Sequence, residues 1–351
     1  MATLKDIGEE LGLSVATVSR ALNGFPEVNA ATRERVQRTA ERLDYRPNRS
    51  ARRLVTGRSG MVGMIVKIGA NLRAEQTFME SLTGLTAALA ARDVDLVLAV
   101  DQGADPVEAY ARMLSRDVID GFILNAPERN DPRVDFLQSR QVPFVMHGQC
   151  RAEAAYPFYS IDNIAAAAEA VQLLVALGHR RIAFLNGLTR FAYAADRRSG
   201  YLAAMAQAGL AVPSWTLAED EPSSDYGYRA ALSLLAGQNG PPPTAILCAS
   251  TLVAEGVMAA ARDRGLRVPA DLSVIAHDDA LPLLRAINFE PALTVTRAPL
   301  REASVPLANA LVDLIEGADP RGLQTLARAE LIVRGSTGPA PEGGGPPWHS
   351  I

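Results

Sequence analysis

The sequence predicts an α/β protein with a small helical head and a two-lobed body of doubly wound parallel sheets. Three observations support this prediction. Apolar residues recur at helical spacing near the start of the chain. From Met61 onward, short apolar runs alternate with helical stretches, which is typical of a parallel sheet covered by helices on both faces. The alternation restarts near residue 164, with helices predicted over 164–177 and 197–209, so two sheets and therefore two lobes are expected.

The composition fits a soluble protein of more than one domain. The chain has 351 residues, of which 48% are hydrophobic and 5% aromatic, enough for two or three domains with a large core. No apolar run reaches the roughly 18 residues of a membrane span, and the start does not look like a signal peptide. We therefore expect a cytoplasmic protein without membrane contact. Cys150 and Cys248 lack metal or redox spacing and are expected to be buried free thiols.

Charge is distributed unevenly along the chain. Residues 1–60 hold 11 basic and 7 acidic side chains, a net charge of +4, whereas the rest of the chain carries −8 within a total of −4. A basic head on an acidic body is the distribution expected of a DNA-binding unit joined to a soluble sensor. A basic face is also an ordinary solvated surface, so charge alone does not decide the function.

The head begins with two predicted helices joined by a tight turn. Leu4, Ile7 and Leu11 lie on one face of the first helix. Gly12 can adopt the positive φ of a helix end, and Ser14 is a good N-cap for a second helix over about 15–23. This pattern predicts a helix-turn-helix, whose second helix enters the DNA major groove. Spacing alone leaves open an ordinary helical hairpin packed in a larger core.

A third helix and a linker complete the head. The third helix is predicted over about 30–43 with Asn29 as its N-cap, and Pro47 ends it because the residue before proline disfavours helix. Residues 48–55 form a short basic segment that could not be helical alone in water. It is either a charged flexible linker or a helix that forms only on a partner.

Longer motifs carry a resemblance to a known family. The first sixty residues contain TLKDI, LSVATVSRALN, TRERV, LDYRPN and ARRLVTGRSG, and the rest contains IDGFIL, YSIDN, LGHRRIAFLNG, DRRSGY, RGLRVPADLSVIAHDDA and FEPALTVTRAP. With these motifs the chain resembles the LacI/GalR family of transcriptional regulators over residues 2 to about 335. The resemblance implies a periplasmic-binding-protein-like body that crosses between its lobes near residues 161, 291 and 323.

The resemblance also implies the domain boundaries. They are a helix-turn-helix domain at 1–47, a hinge helix and linker at 48–60, an effector-binding and dimerisation domain at 61–337, and a disordered tail at 338–351. Within the body, the N-lobe is expected at about 61–161 and 292–322, and the C-lobe at about 162–290 and 323–337.

The candidate DNA contacts lie mainly on the second helix. Arg20 can donate two parallel hydrogen bonds to guanine O6 and N7, whereas Val15 and Ala16 can contact only thymine methyls or exclude bases. In the family, a leucine at the position of Leu54 wedges into the minor groove. The full candidate set is Thr3, Ser14, Val15, Ala16, Thr17, Ser19, Arg20, Asn23, Tyr45, Asn48, Ala51 and Leu54. For each of them, capping or solvent exposure is the alternative, and Ser14 is expected to cap in any case.

The candidate effector contacts lie where predicted strands end, because open α/β sheets bind ligands at the carboxyl ends of their strands. This rule gives Asn125, His147, Asp162 and Asp278, and the family resemblance adds Arg197, Thr77 and Phe78 and again points to Asp278. A carboxylate and a guanidinium suit sugar hydroxyls. The alternatives are that Asp162 only caps a helix, that His147 is structural and that Asn125 is a turn residue.

Three positions depart from the family pattern and leave the effector open. Ala249-Ser250-Thr251 replaces a frequent Asn-Asp, His277 replaces an aromatic or apolar residue, and His147-Gly148 replaces more common strand endings. No phosphate-binding loop, metalloprotease motif or nucleophile elbow is present, so we expect neither enzymatic activity nor a cofactor or metal.

The resemblance therefore predicts a ligand-responsive regulator, most simply a repressor of carbohydrate or α-glucoside uptake and catabolism genes. It would bind a palindromic double-stranded operator as a homodimer or tetramer and respond to a small sugar. One alternative is a regulator that answers to a purine or another non-sugar metabolite. The other is a small-molecule-binding protein without a regulatory role.

Overall fold

The computed structural model describes residues 2–22, 24–45, 57–66, 74–101, 103–151 and 153–341, with side chains undescribed at 74–78. These residues belong to two compact units, residues 1–60 and residues 61–351. The described part of the first unit contains helices α1 (Leu4–Leu11), α2 (Val15–Leu22) and α3 (Ala30–Arg42). No described helix has the length and apolar character that crossing a membrane would require.

Local hydrogen bonds define the two helix starts of the head. The Thr3 side chain accepts from the Asp6 N–H while the Asp6 carboxylate accepts from the Thr3 N–H, which is a complete capping box. Gly12 has φ +68°, a conformation that favours glycine, and it turns the chain out of α1. Ser14 Oγ then accepts the Thr17 N–H at 3.1 Å and starts α2. The predicted helix-turn-helix geometry is therefore confirmed.

The three helices of the head share one small core. The side chains that are fully or nearly fully buried in it are Ile7, Val18, Ala21, Val28, Val36 and Ala40. Burying a branched aliphatic side chain stabilises a fold by about 1.5–3 kcal/mol. The head is thus held by few apolar contacts, together with caps such as Asn29, whose side chain accepts the Thr32 N–H at 2.8 Å.

The first lobe of the body is built on a six-stranded parallel sheet. Its spatial order is β11-β5-β4-β3-β1-β2. The strands are β1 (Met61–Val66), β2 (Asp95–Val100), β3 (Gly121–Asn125), β4 (Phe144–His147), β5 (Phe158–Ile161) and β11 (Gln324–Ala327). The helices of this lobe are α4 (Ala74–Ala90), α5 (Glu108–Leu114), α6 (Pro132–Ser139) and α11 (Ser304–Ile315). Two apolar clusters lie on the two faces of the sheet.

The second lobe repeats the plan with one antiparallel edge strand. Its order is β12-β10-β9-β8-β6-β7, and β12 runs antiparallel to β10. The strands are β6 (Ile182–Asn186), β7 (Leu217–Glu219), β8 (Ala245–Cys248), β9 (Ser273–Asp278), β10 (Thr294–Arg297) and β12 (Glu330–Ile332). The helices are α7 (Asn163–Ala176), α8 (Ala192–Gln207), α9 (Ser224–Leu235) and α10 (Thr251–Asp263).

The chain crosses between the lobes three times, as expected, but two crossings come later than expected. Strand β10 pairs with β9 of the second lobe, and β11 pairs with β5 of the first lobe. The assignment of 292–322 to the N-lobe and of 323–337 to the C-lobe is therefore wrong at its boundaries. The crossings lie after β5, after β10 and after β11, because each of these strands pairs with the sheet of its own lobe before the chain leaves that lobe.

The start of the tail is ordered, contrary to expectation. The Ala340 N–H donates to the Leu177 carbonyl at 2.8 Å, and the Gly338 N–H donates to Ser273 Oγ at 3.1 Å. His179, which is fully buried, lies 3.1 Å from the Gly338 carbonyl through Nε2. A disordered tail from residue 338 is thus wrong for residues 338–341, because polar groups of the second lobe hold this segment. Residues 342–351 lie outside the described residues.

Candidate functional site

Helix α2 presents a polar and partly apolar face to solvent. Arg20, Val15 and Ala16 are exposed, whereas Val18 and Ala21 are buried in the core of the head. This separation places the candidate base-reading side chains on the side of α2 away from α1 and α3. The face can therefore approach a DNA groove without unfolding the head.

The other candidates in the head have mixed surroundings. Thr3 and Ser14 cap helices α1 and α2, which is the role given above as the alternative to DNA contact. The Thr17 and Ser19 side chains are half-buried, and Tyr45 packs partly against the core of the head. Four of the candidates lie outside the described residues: Asn23, Asn48, Ala51 and Leu54.

In the body, three side chains form a row across neighbouring strands of the first lobe, in which Asn125 and His147 end their strands and Tyr159 is the second residue of β5. Asn125, His147 and Tyr159 are register partners on β3, β4 and β5. The His147 and Tyr159 ring centroids are 6.4 Å apart. Asn125 and His147 therefore lie where open α/β sheets bind ligands. The sequence located Asn125 and His147, but it did not single out Tyr159.

Burial controls the protonation of His147. Loss of hydration lowers the pKa of His147 to about 4, although the negative charge of Asp279 opposes this shift. The imidazole is therefore neutral near pH 7 and can both donate and accept a hydrogen bond. The charge of a second-lobe carboxylate, Asp279, therefore acts on the first-lobe strand end at His147.

Arg197 lies in the second lobe and is 9% exposed. Its Nε donates to Asn163 Oδ1 at 2.8 Å and its Nη1 donates to the Ala249 carbonyl at 2.9 Å. Its guanidinium carbon lies 5.3 Å from the Tyr193 ring centroid. Burial lowers the pKa of Arg197, while Asp279 and Tyr193 oppose that shift. The guanidinium is thus fixed in position with bonding capacity left for a ligand.

A glycine allows α8 to approach α7 closely enough for this arrangement. A Cβ on Gly200 would lie 2.1 Å from the Ile164 carbonyl oxygen, which is closer than any side chain can come. Gly200 is one turn from Arg197, and Ile164 follows Asn163. The close helix contact and the Arg197–Asn163 hydrogen bond are therefore parts of the same packing arrangement.

The carboxylate whose charge raises the pKa of Arg197 against burial is Asp279 and not Asp278. Asp278 is buried at the end of β9, accepts the Ala280 N–H at 2.8 Å and is paired in register with Arg297. Asp279 lies 3.4 Å from His277 Nε2. Burial would raise the pKa of Asp279, but hydrogen bonding and charge from His277, with Arg197 and His147, hold it below its usual value.

The remaining sequence candidates have simpler surroundings. Asp162 accepts the Ala165 N–H at 2.9 Å and caps α7, so the capping alternative describes its contacts. Ser250 likewise caps α10, which explains how the Ala249-Ser250-Thr251 departure is accommodated. Thr77 and Phe78 fall in α4, where side chains are not described.

Sequence reasoning missed Asp279, Tyr193 and Asn163. Asp279 directly follows Asp278, which was predicted as an effector contact. The two adjacent aspartates could therefore have indicated both positions, but only the first was selected. Tyr193 was missed because the helix was predicted to start at 197, whereas α8 starts at Ala192. Asn163 gave no local signal, because its role depends on a hydrogen bond to a residue 34 positions later.

We expect acid to destabilise the body through His147. Its pKa is about 4 in the folded protein and 6.5 unfolded, so the unfolded chain binds more protons between these values. Stability is full above pH 6.5 and falls as the pH drops toward 4, by on the order of 1–3 kcal/mol. Denaturant unfolding of His147→Gln at pH 7, 5.5 and 4.5 should show a shallower loss than the wild type.

Burial also lowers the pKa values of His179 and His277, so part of the acid sensitivity should remain in that variant. An identical pH slope in the wild type and His147→Gln would contradict the assignment to His147.

Two family models match the chain. Residues 3–48 match the model for bacterial regulatory proteins of the lacI family, and residues 171–337 match a periplasmic binding protein-like domain. The transcriptional regulator AglR of Rhizobium meliloti (strain 1021) is 40% identical over 340 residues, which cover 97% of this chain and 95% of that protein.

Two solved structures of transcriptional regulators are also similar to this chain. A transcriptional regulator CelR–cellobiose complex is 30% identical with a TM-score of 0.70, covering 96% of this chain and 100% of the other. The lac repressor dimer bound to operator and the anti-inducer ONPF is 25% identical with a TM-score of 0.76, covering 96% and 99%. Both likenesses extend over the helical head as well as the body.

Proposed function

Because the chain belongs to the lacI family of bacterial regulatory proteins, we propose that it is a repressor released from operator DNA by a small sugar. The observation that carries the effector assignment is a hydrogen-bonded guanidinium, Arg197, and a neutral imidazole, His147, both of which feel the charge of the Asp279 carboxylate. We propose that the protein acts by binding alone, in the cytoplasm, without catalysis.

The chemistry of these groups favours sugar over purine. Arg197 can only donate and Asp279 can only accept, whereas a hydroxyl group can serve both. Tyr193 adds a ring that can pack on the apolar face of a sugar, and its hydroxyl lies 3.5 Å from the position that a Cβ on Gly187 would take. A nucleobase would also stack on Tyr193, but it would offer fewer donors to Asp279. A purine effector remains the second candidate.

The finer proposal is an α-glucoside. It is supported by the segment DPRVDFLQSRQVPFVMHGQ, which is similar to regulators of α-glucoside use. The cellobiose of the CelR complex has a β linkage, so it supports a disaccharide effector but not the α linkage. The test is a thermal-shift screen followed by calorimetry with trehalose, maltose, sucrose, cellobiose, adenine, guanine and hypoxanthine. Binding of a purine with no response to any sugar would overturn the proposal.

We propose that Arg20 reads a base. Arg20→Ala should weaken operator binding by about 1–3 kcal/mol and relax one base position in each half-site, because a bidentate guanine contact would be lost. Arg38→Ala is the charge-matched control, since Arg38 is exposed on α3 and pairs with Glu34 at 3.4 Å. Anisotropy titrations with operator and scrambled duplexes should show a reduced specificity ratio for Arg20→Ala only. An unchanged ratio would exclude base reading by Arg20.

The hinge remains a proposal from the sequence. We propose that residues 48–55 become helical only on the operator, where Leu54 from each subunit would wedge into the minor groove. This segment lies outside the described residues, so the proposal rests on its charge, its short length and the family resemblance.

We propose that a second copy of the chain covers the exposed apolar residues of segment 282–287. Leu283 is 79% exposed and Ile287 is 53% exposed, although Leu281 and Ala286 beside them are buried. Strand β2 at the edge of the other sheet also exposes Leu98 and Val100. Apolar surface of this kind in both lobes suits a homodimer, in keeping with the dimeric lac repressor structure.

A further inference from the structure

We propose that Arg129 and Asp196 are positioning residues for the effector cleft. Their ion pair, with the backbone contact beside it, joins the first lobe to α8 and raises the population of the closed cleft. The inference rests on the proposed function only in taking the cleft as the effector site. We use the name interlobe latch for residues 127–129 with residues 191–196.

Three contacts form the interlobe latch. The Ala192 N–H donates to the Pro127 carbonyl at 2.9 Å, and Glu128 and Phe191 form an antiparallel bridge. Arg129 Nη2 lies 3.6 Å from Asp196 Oδ1. Residues 127–129 follow β3 of the first lobe, whereas residues 191–196 begin α8 of the second. These contacts therefore form between the lobes through residues that are not part of the three chain crossings.

The first-lobe side of the latch is held rigidly. Asp131 is buried, and its carboxylate accepts the Glu128 N–H at 3.2 Å and Arg133 Nε at 2.8 Å. Arg133 Nη2 in turn donates to the Asn125 carbonyl at 3.0 Å. Because a buried, hydrogen-bonded ion pair ties this loop to the end of β3, the loop moves with the sheet. A displacement of the loop at Arg129 would therefore also displace the end of β3 at Asn125.

The second-lobe side is equally well connected. Asp196 directly precedes Arg197, whose guanidinium is fixed to Asn163 and the Ala249 carbonyl. One turn of α8 thus carries a carboxylate that contacts the first lobe and a guanidinium that faces the cleft. When the latch forms, Arg197 and Asp279 of one lobe face His147 of the other.

For an electrostatic reason, loss of Arg129 should weaken the interlobe latch more than loss of Asp196. Burial raises the pKa of Asp196, the charge of Arg129 opposes this, and the charge of Asp162 at the first crossing adds to it. Without Arg129, Asp196 would face another carboxylate with no cation in the latch to compensate. A negative charge at position 129 would drive the lobes apart.

The expected effect follows from population arithmetic. If a ligand needs both lobes, its apparent dissociation constant rises in proportion to the loss of the closed form. Partly exposed ion pairs are weak, and Arg129 and Asp196 are 59% and 35% exposed in their side chains. We expect Arg129→Ala to weaken ligand binding about two- to fivefold and Arg129→Glu about five- to twentyfold. Neither variant removes a proposed ligand contact.

The primary test measures closure without any ligand. Spin labels at Ser139→Cys and Gln207→Cys, one in each lobe, are placed in a Cys150→Ser background and diluted with unlabelled subunits. Arg129→Glu should increase the long-distance population in pulsed dipolar spectroscopy. Arg129→Lys keeps the positive charge, and Arg129→Glu/Asp196→Lys exchanges the two charges. Both proteins should show the wild-type distance distribution. Arg112→Glu is the matched control, because Arg112 pairs with Glu108 at 3.5 Å within the first lobe.

The second test uses trehalose as the probe in calorimetry. Weaker binding to Arg129→Glu, with recovery in the exchanged pair, supports the latch. An unchanged distance distribution in a folded Arg129→Glu protein would overturn it, whether or not trehalose binds. If trehalose and the other sugars fail on the wild type while the distances shift as expected, the sugar assignment fails and the latch stands.

Discussion

Replacing Arg197 by methionine is expected to lower the affinity of the body for its sugar about 100-fold while leaving operator binding intact. The guanidinium is buried and hydrogen-bonded, so it should meet the ligand with little loss of side-chain freedom. Truncating one partner of a buried, charge-assisted contact costs about 2–5 kcal/mol, and 2.7 kcal/mol corresponds to 100-fold. Calorimetry on the sugar found by the screen measures the loss.

The neighbouring Arg198 provides a matched control. Arg198 is exposed on α8, so Arg198→Met removes the same charge from the same turn without touching the cleft. It should bind sugar as the wild type does. Arg197→Met also leaves Asn163 Oδ1 and the Ala249 carbonyl without their donor, so about 1–3 kcal/mol of stability should be lost. A stable Arg197→Met protein with wild-type sugar affinity would exclude Arg197 as an effector contact.

The head could be predicted almost completely from sequence because its determinants are local. The Thr3 cap bonds three residues ahead, Gly12 turns within one residue, and Ser14 bonds to Thr17. The apolar spacing of α1 and α2 then specifies which faces meet. No long-range contact was needed to place Arg20 on the exposed side.

The cleft could be predicted only in part because its geometry depends on contacts between distant segments. Strand ends could be read from apolar runs, which gave Asn125 and His147. The start of α8 could not, since its first residue bonds to the Pro127 carbonyl of the other lobe. Because the predicted start of α8 was too late, Tyr193 and the latch residue Asp196 were not recognised as candidates.

The predicted lobe boundaries were wrong for a similar reason. Strands β10 and β11 are short and join existing sheet edges, so each belongs to a lobe through pairing with β9 or β5. Neither pairing has a signature in the strand itself. The ordered residues 338–340 are a parallel case, because the bonds that hold them come from Leu177 and Ser273.

The second large effect is expected from Leu283→Asp, which should convert the protein to a monomer. Leu283 is exposed next to the buried Leu281, so its backbone is anchored while its side chain has no cover within the described chain. A carboxylate there would have to be desolvated in a dimer, and two copies would meet across a two-fold axis. Analytical ultracentrifugation should show loss of the dimer, with sugar binding unchanged.

Loss of the dimer should reduce operator affinity at least 100-fold, although no residue of the head is altered. A dimer binds its second half-site intramolecularly, at an effective concentration in the millimolar range, so avidity exceeds the affinity of one head by about 10²–10⁴. Leu202→Asp on α8 is the control, since Leu202 is an exposed leucine of the same lobe outside segment 282–287. A Leu283→Asp protein that remains dimeric with full operator affinity would remove this segment from the interface. A monomer with full operator affinity would instead show that a single head suffices, and two half-sites would then add nothing to recognition.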